Sequence, residues 1–526
     1  MTTPQDAFHV YDTTLRDGAQ REGMSLSVND KLAIARHLDD LGVGFIEGGW
    51  PGANPKDTEF FRRAQTELKL GTAQLTAFGS TRRPGGDVAA DLAPLRESGA
   101  GVVCMVAKSD VRHVERALRT TREENLAMIR DSVAHLHAEG QRVFLDAEHF
   151  FDGYVADPAY AIEVLRTAAA AGADVVVLCD TNGGMLPHRL AEIVNEVVGT
   201  GLRVGIHAHN DAACAVANSL AAVHAGATHV QGTANGYGER CGNADLFSIV
   251  AALEAKDGRA VLPPGRLVEL GRVAHAVAEV ANIAPDPHQP WVGASAFAHK
   301  AGLHVSAIKA DPDLYQHTDP AVVGNDMRLL VSELAGRATI ELKGKALGLD
   351  PDRDTVARVI ERVKDLESVG YSFEAAEASF ELLLREEMGQ RPRYFELESW
   401  RVIVERRADG QVVSEATVKL QAKGERIVAT GEGNGPVNAL DNALRRALET
   451  LYPGLASLEL VDYKVRIVSG AHGTDAVTRV LVETSDGTRE WDTVGVHENV
   501  IAASWQALED AYTTGLLREG VPSDAP

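Results

Sequence analysis

From residue 8 to about residue 235, short runs of apolar and β-branched residues alternate with longer stretches whose apolar positions recur at helical spacing. The pattern predicts strands at 9–15, 43–48, 74–79, 101–106, 142–148, 174–180, 203–209 and 228–233, with helices such as 29–41, 157–171 and 211–225 between them. Glycine follows the helical runs at Leu41-Gly42, Ser98-Gly99, Ala171-Gly172 and Ala225-Gly226, where it closes a helix before the next strand. Eight β/α alternations in this length point to an α/β fold, a (β/α)8 TIM barrel, rather than an open sheet. The strands are apolar almost throughout, as a parallel sheet buried on both faces requires.

The pattern changes beyond about residue 285. Pro285, Pro287, Pro290, Pro312 and Pro320 interrupt a stretch holding two short helices, followed by a strongly helical run near 353–389. From 397 onward a βββα unit is written twice. Strands at about 398–406, 413–420 and 426–431 lead to a helix at 436–451, and strands at about 459–469, 476–484 and 489–496 lead to a helix at 498–515. The domains expected are therefore a catalytic barrel over 1–285, a helical connecting region over 286–395 and a C-terminal α+β regulatory or dimerisation domain over 396–526.

Composition narrows the field of partners. A chain of 526 residues exceeds one ordinary core, and 45% hydrophobic with 24% charged residues is a globular composition. A net charge of −23 repels nucleic-acid phosphate and anionic membranes, so neither is an expected partner. The N-terminus lacks a signal-peptide pattern, no apolar run approaches a membrane span, and the four cysteines show no CxxC spacing. A reduced cytoplasm is the expected location.

Candidate chemistry gathers at the predicted C-terminal strand ends, where TIM-barrel active sites form. Arg16 and Asp17 follow strand 1, Glu47 ends strand 2, Glu148 ends strand 5 and Asp180 ends strand 6. His207 and His209 end strand 7, where residues i and i+2 share a face and both rings can reach one ion. Asn243, in the glycine-rich segment after strand 8, adds a neutral oxygen. Nitrogen and oxygen donors without thiolate admit Mg²⁺, Mn²⁺ or Zn²⁺ and do not choose among them. Arg16 supplies a permanent cation for charge developing on a chelated substrate. Glu148 reads equally as a structural rim carboxylate or as a partner of an acid/base group.

Four motifs together resemble the pyruvate carboxyltransferase-domain enzymes, the TLRDG-type metal-dependent barrels of the 2-isopropylmalate synthase and homocitrate synthase family. They are Thr14–Gln20, His207–Asp211, Asn235–Asn243 and Ala298–His304. The C-terminal repeat, with Gly433-x-Gly435-Pro436-Val437-x-Ala439, is similar to the regulatory domain of that family. The resemblance implies an acyltransferase that condenses acetyl-CoA with a 2-oxo acid. Glu47–Asp57 and Phe78–Arg83 resemble the branch whose oxo acid is pyruvate, in isoleucine biosynthesis, with the same chemistry on another oxo acid as the alternative. It also implies divalent-metal ligation by Asp17, His207, His209 and Asn243, oxyanion stabilisation by Arg16, and an acidic catalytic role for Glu148. His304 and Tyr315 match a pair that enters a neighbouring subunit's active site, which implies a homodimer. An amino-acid effector, isoleucine, is implied at the C-terminal domain. A carbon–carbon lyase or aldolase, and an amino-acid sensor on an inactive barrel, are the other classes to exclude.

Overall fold

Alternate residues of the barrel strands go to two different cores, and that separation closes the sheet. In the computed structural model, which describes residues 4–468 and 476–523, eight parallel strands pair in chain order into a closed barrel. They are β1 (His9–Asp12), β2 (Phe45–Gly49), β3 (Gln74–Ser80), β4 (Val102–Lys108), β5 (Arg142–Glu148), β6 (Val175–Asp180), β7 (Val204–Ala208) and β8 (His229–Gly232). Tyr11, Phe45, Cys104, Phe144 and Val177 meet inside the barrel. Their neighbours Val10, Ile46, Val103, Leu145 and Leu178 pack in the larger core beneath the surrounding helices. β1 pairs with both β2 and β8, which sets Tyr11 beside Gln231.

The helix punctuation works as the sequence suggests. Ser27 caps the helix Val28–Leu41 in a capping box with Asp30. Gly42, Gly99, Gly172 and Gly226 all take positive φ, between 76° and 111°, after their helices. Several boundaries differ from expectation. β1 stops at Asp12 because its carboxylate accepts from the Thr14 N–H and hydroxyl, both at 2.8 Å, and turns the chain. The helix predicted at 157–171 runs Pro158–Ala170 and is preceded by a separate helix, Phe150–Ala156. The helix predicted at 211–225 begins only at Ala215, whose N–H is bound by Asn210 Oδ1 at 3.2 Å.

The chain divides into two compact units. The first holds residues 1–297 and 318–326, the second 298–317 and 327–526. The stretch predicted as one connecting region is thus shared between them. In the second unit β9 (Ala298–His299) pairs in parallel with β10 (Arg328–Leu329). Two antiparallel sheets follow, β11 (Glu396–Arg406), β12 (Val412–Ala422) and β13 (Glu425–Gly433), then β14 (Glu459–Ile467), β15 (Thr478–Ser485) and β16 (Glu490–His497). Helices Pro436–Leu448 and Val500–Arg518 follow the two sheets, so the βββα repeat is present. The last residue of the strand predicted at 459–469 lies outside the described residues. Among the described residues no helix is long and apolar enough to cross a membrane.

Candidate active site and metal centre

The turn after β1 aims two charged side chains at one point. Thr13 C=O accepts from the N–H groups of Arg16 and Gly18, at 3.2 and 3.0 Å, so residues 14–17 form a tight loop on the rim. Asp17 Oδ2 then lies 3.1 Å from His207 Nε2 and 3.6 Å from His209 Nε2, and the two ring nitrogens are 3.2 Å apart. His207 is in β7, and His209 lies just past its end, bridged to Asn243. These three residues form a buried group whose ligand atoms lie within 4.8 Å of one another.

Their electrostatics suit a cation. Burial alone would raise the Asp17 carboxyl, but the Arg16 guanidinium and the His207 contact hold it far below the usual carboxylate range. Burial lowers His209 to about 4, helped by the neighbouring His207 ring. Burial opposes the charged form of His207 too, yet Asp17 outweighs it and raises this ring above its ordinary value.

Asn243 Oδ1 and His209 Nδ1 are buried without a hydrogen-bond partner among the described residues. Asn243 Nδ2 donates to the Tyr237 carbonyl at 3.2 Å, which leaves its oxygen as the free end. The loop can close this tightly only because residue 238 is glycine: at φ 152° a Cβ there would stand 2.3 Å from Asn243 Nδ2. A carboxylate, two imidazoles and an orphaned amide oxygen, with no thiolate, fit a divalent ion of the Mg²⁺, Mn²⁺ or Zn²⁺ type.

Arg16 is braced on three sides. Its Nε is 2.5 Å from Glu47 Oε1, its Nη1 is 3.3 Å from Asp17, and its guanidinium lies 3.9 Å over the Phe78 ring. Glu47 is fully buried and also accepts from the hydroxyls of Tyr11 and Thr13. Glu148, at the end of β5, pairs with Lys108 at the end of β4, its register partner. Arg16, Lys108 and Glu148 line a cavity of about 480 Å³ with Asp17, His207, Trp50 and Phe78 also in its wall. Trp50 meets Phe78 edge to face at 5.3 Å and makes the wall above Arg16 aromatic.

His304 and Tyr315 belong to the second unit, where their rings stack 4.2 Å apart. Asp180 is bound by its own loop, accepting from the N–H groups of Gly184 and Met185. Gln231, Asp146 and Lys108 escaped sequence reasoning. The period-2 pattern of β8 and β5 would have turned the first two into the barrel interior, and the facing strand ends would have offered the third.

Profile comparison identifies the class. Residues 7–277 match the HMGL-like family, residues 291–370 the homocitrate synthase post-HMGL domain-like family, and residues 374–516 the LeuA allosteric (dimerisation) domain. The chain belongs to the HMGL-like family. Along its full length it is similar to (R)-citramalate synthases. It is 69% identical over 522 residues to the one from Streptomyces coelicolor, covering 98% of both chains. The Synechocystis sp. enzyme is 50% identical over 533 residues, with 98% of this chain and 97% of that one covered. The Aquifex aeolicus enzyme is 49% identical over 518 residues, with 97% and 98% covered.

Proposed function

We propose that this chain condenses acetyl-CoA with pyruvate to give (R)-citramalate and free CoA, an acyl-transfer step serving isoleucine biosynthesis. The observation that carries the reading is full-length identity of 49–69% to (R)-citramalate synthases in a chain whose Asp17, His207 and His209 converge on one point. Asp17, His207, His209 and Asn243 would hold a divalent metal, which when bound supplies a Lewis acid and a template for a 2-oxo acid.

The chain's own residues do the rest. A base takes a proton from the acetyl-CoA methyl, and the resulting carbanion equivalent bonds to C2 of pyruvate while the keto π pair moves onto oxygen. Arg16, fixed by Glu47 and Phe78 and facing the cavity, stabilises that alkoxide until it is protonated. Water then cleaves the thioester, leaving a carboxylate and the CoA thiol. We assign the base to His304, stacked on Tyr315 and delivered by the second subunit of a homodimer, and an orienting role to Glu148. The match to a dimerisation domain over 374–516 supports the dimer, and the allosteric description of that domain supports an effector site, which we assign to isoleucine. Four unpaired cysteines support a cytoplasmic location.

The test is CoA release with pyruvate, 2-oxoisovalerate, 2-oxobutyrate and 2-oxoglutarate, with product identification. Pyruvate should give the highest kcat/KM and citramalate as product; preference for 2-oxoisovalerate or 2-oxoglutarate would overturn the assignment. Isoleucine added to the full-length enzyme should lower turnover. An enzyme indifferent to it refutes the effector reading.

A further inference from the structure

A chain of hydrogen bonds reaches the proposed metal centre from inside the barrel. Gln231, on β8 and without exposed surface, holds Oε1 2.7 Å from His207 Nδ1 and Nε2 2.9 Å from Asp146 Oδ1. Asp146, on β5, also accepts from the Cys104 thiol at 3.2 Å. Four interior residues from four strands are thereby linked, and only the last, His207, reaches the metal group.

The two ends of an amide are not interchangeable. Asp146 Oδ1 is placed as an acceptor, since the Cys104 thiol points at it at 3.2 Å and Gln231 Nε2 at 2.9 Å. The NH₂ end of Gln231 must therefore face Asp146, and its carbonyl must face His207. A carbonyl at 2.7 Å demands hydrogen on His207 Nδ1. A neutral ring with hydrogen there carries its lone pair on Nε2, the atom that stands 3.1 Å from Asp17 Oδ2. A rotated amide would place a donor against Nδ1, put the hydrogen on Nε2 and remove the ligand. His209 has no comparable partner, because its Nδ1 makes no hydrogen bond among the described residues.

We infer that Gln231 is a positioning residue that locks His207 as an Nε2 metal ligand, with Asp146 holding the amide in the required orientation. This rests on the metal-centre reading above. It assigns to two residues outside the proposed ligand set an effect on how tightly the ion is held, exerted through His207.

The experiment is calorimetric titration of Mn²⁺ into metal-stripped, full-length protein. Gln231→Met keeps the length and loses both hydrogen bonds, and should weaken Mn²⁺ binding by about 10- to 100-fold. Combining Gln231→Glu with Asp146→Asn reverses the inner pair but keeps an acceptor toward His207, so affinity should return toward that of the parent. An amide that merely fills space predicts the parent dissociation constant in Gln231→Met, and that result overturns the inference. Should Gln231→Met fail to fold, the ¹⁵N shifts of His207 in the unsubstituted Zn²⁺-loaded protein, assigned by difference from His207→Gln, decide the matter. Hydrogen on Nδ1 upholds the lock and hydrogen on Nε2 refutes it. A parent protein that takes up no Mn²⁺ sinks the metal centre and this inference together, whereas parent binding with an unaffected Gln231→Met sinks the inference alone.

Discussion

Two pairs of histidines sit at opposite ends of the same barrel, and the charge beside each pair decides what it can do. At the strand N-termini, His9 Nδ1 faces His229 Nδ1 at 3.1 Å, and His9 Nε2 accepts from Arg203 and Arg142 at 2.8 and 3.2 Å. Asp174 and Asp6 bind those arginines in turn. Burial and the two guanidiniums push His9 down to about 3, and burial with the His9 ring holds His229 well below its ordinary value. At the strand C-termini the neighbour is Asp17, and the imidazoles turn their Nε2 atoms toward it and each other. At the base the Asp6 and Asp174 carboxylates are engaged by Arg142 and Arg203, which crowd His9, whereas at the rim Arg16 meets Asp17 Oδ1 and leaves Oδ2 facing both imidazoles. Two close histidines thus become a metal site only where a carboxylate oxygen is turned toward both rings.

The largest expected effect separates the ends outright. Stripping divalent metal with a chelator, or replacing Asp17 by Ala, should abolish CoA release. His9→Asn at the other pole should leave turnover intact. Comparable losses in both variants would show that neither pair is specifically catalytic.

Next in size is the shared active site. Arg16→Ala and His304→Ala protomers, each inactive alone, should regain turnover when mixed into heterodimers, because one composite site would carry both intact residues. Verified heterodimers without activity would refute assignment of His304 to the partner's barrel. Within the barrel, Arg16→Gln should cut kcat by about 10²- to 10³-fold with a smaller change in KM, as loss of an oxyanion donor does. A pure KM effect would reassign Arg16 to substrate binding.

The smallest effect tests the base. His9 stays neutral in the folded chain down to about pH 3, while the unfolded chain protonates near 6.5. Between those values the unfolded state binds the extra proton, so stability falls as pH falls, by about 1.4 kcal/mol per unit for such a histidine. Urea midpoints of the metal-stripped protein between pH 7 and 5 should slope less in His9→Asn than in the parent. Equal slopes would mean that His9 titrates normally.

The contrast also marks how much of the molecule was legible in the sequence. The eight strands and the rim positions of Asp17, His207, His209 and Asn243 followed from local spacing, since period-2 alternation and the strand-end rule need no long-range knowledge. The loop after Asp12 did not follow, because a side-chain cap ended a strand whose apolar pattern ran on to residue 15. Nor did the pairs that tune the site. Glu47 with Arg16, Lys108 with Glu148, and Gln231 with Asp146 are separated by 31, 40 and 85 residues, and only barrel closure makes them neighbours. The Gly433–Pro436 signal read locally and correctly, with Pro436 opening its helix.

The most direct test of the account is the stoichiometry of Mn²⁺ bound by metal-stripped full-length protein, measured alongside pyruvate-dependent CoA release in the same samples. One ion per chain is expected in the parent and in His9→Asn, and none in Asp17→Ala, with CoA release tracking the bound ion. An Asp17→Ala protein that still binds one ion per chain and still condenses acetyl-CoA with pyruvate would contradict it.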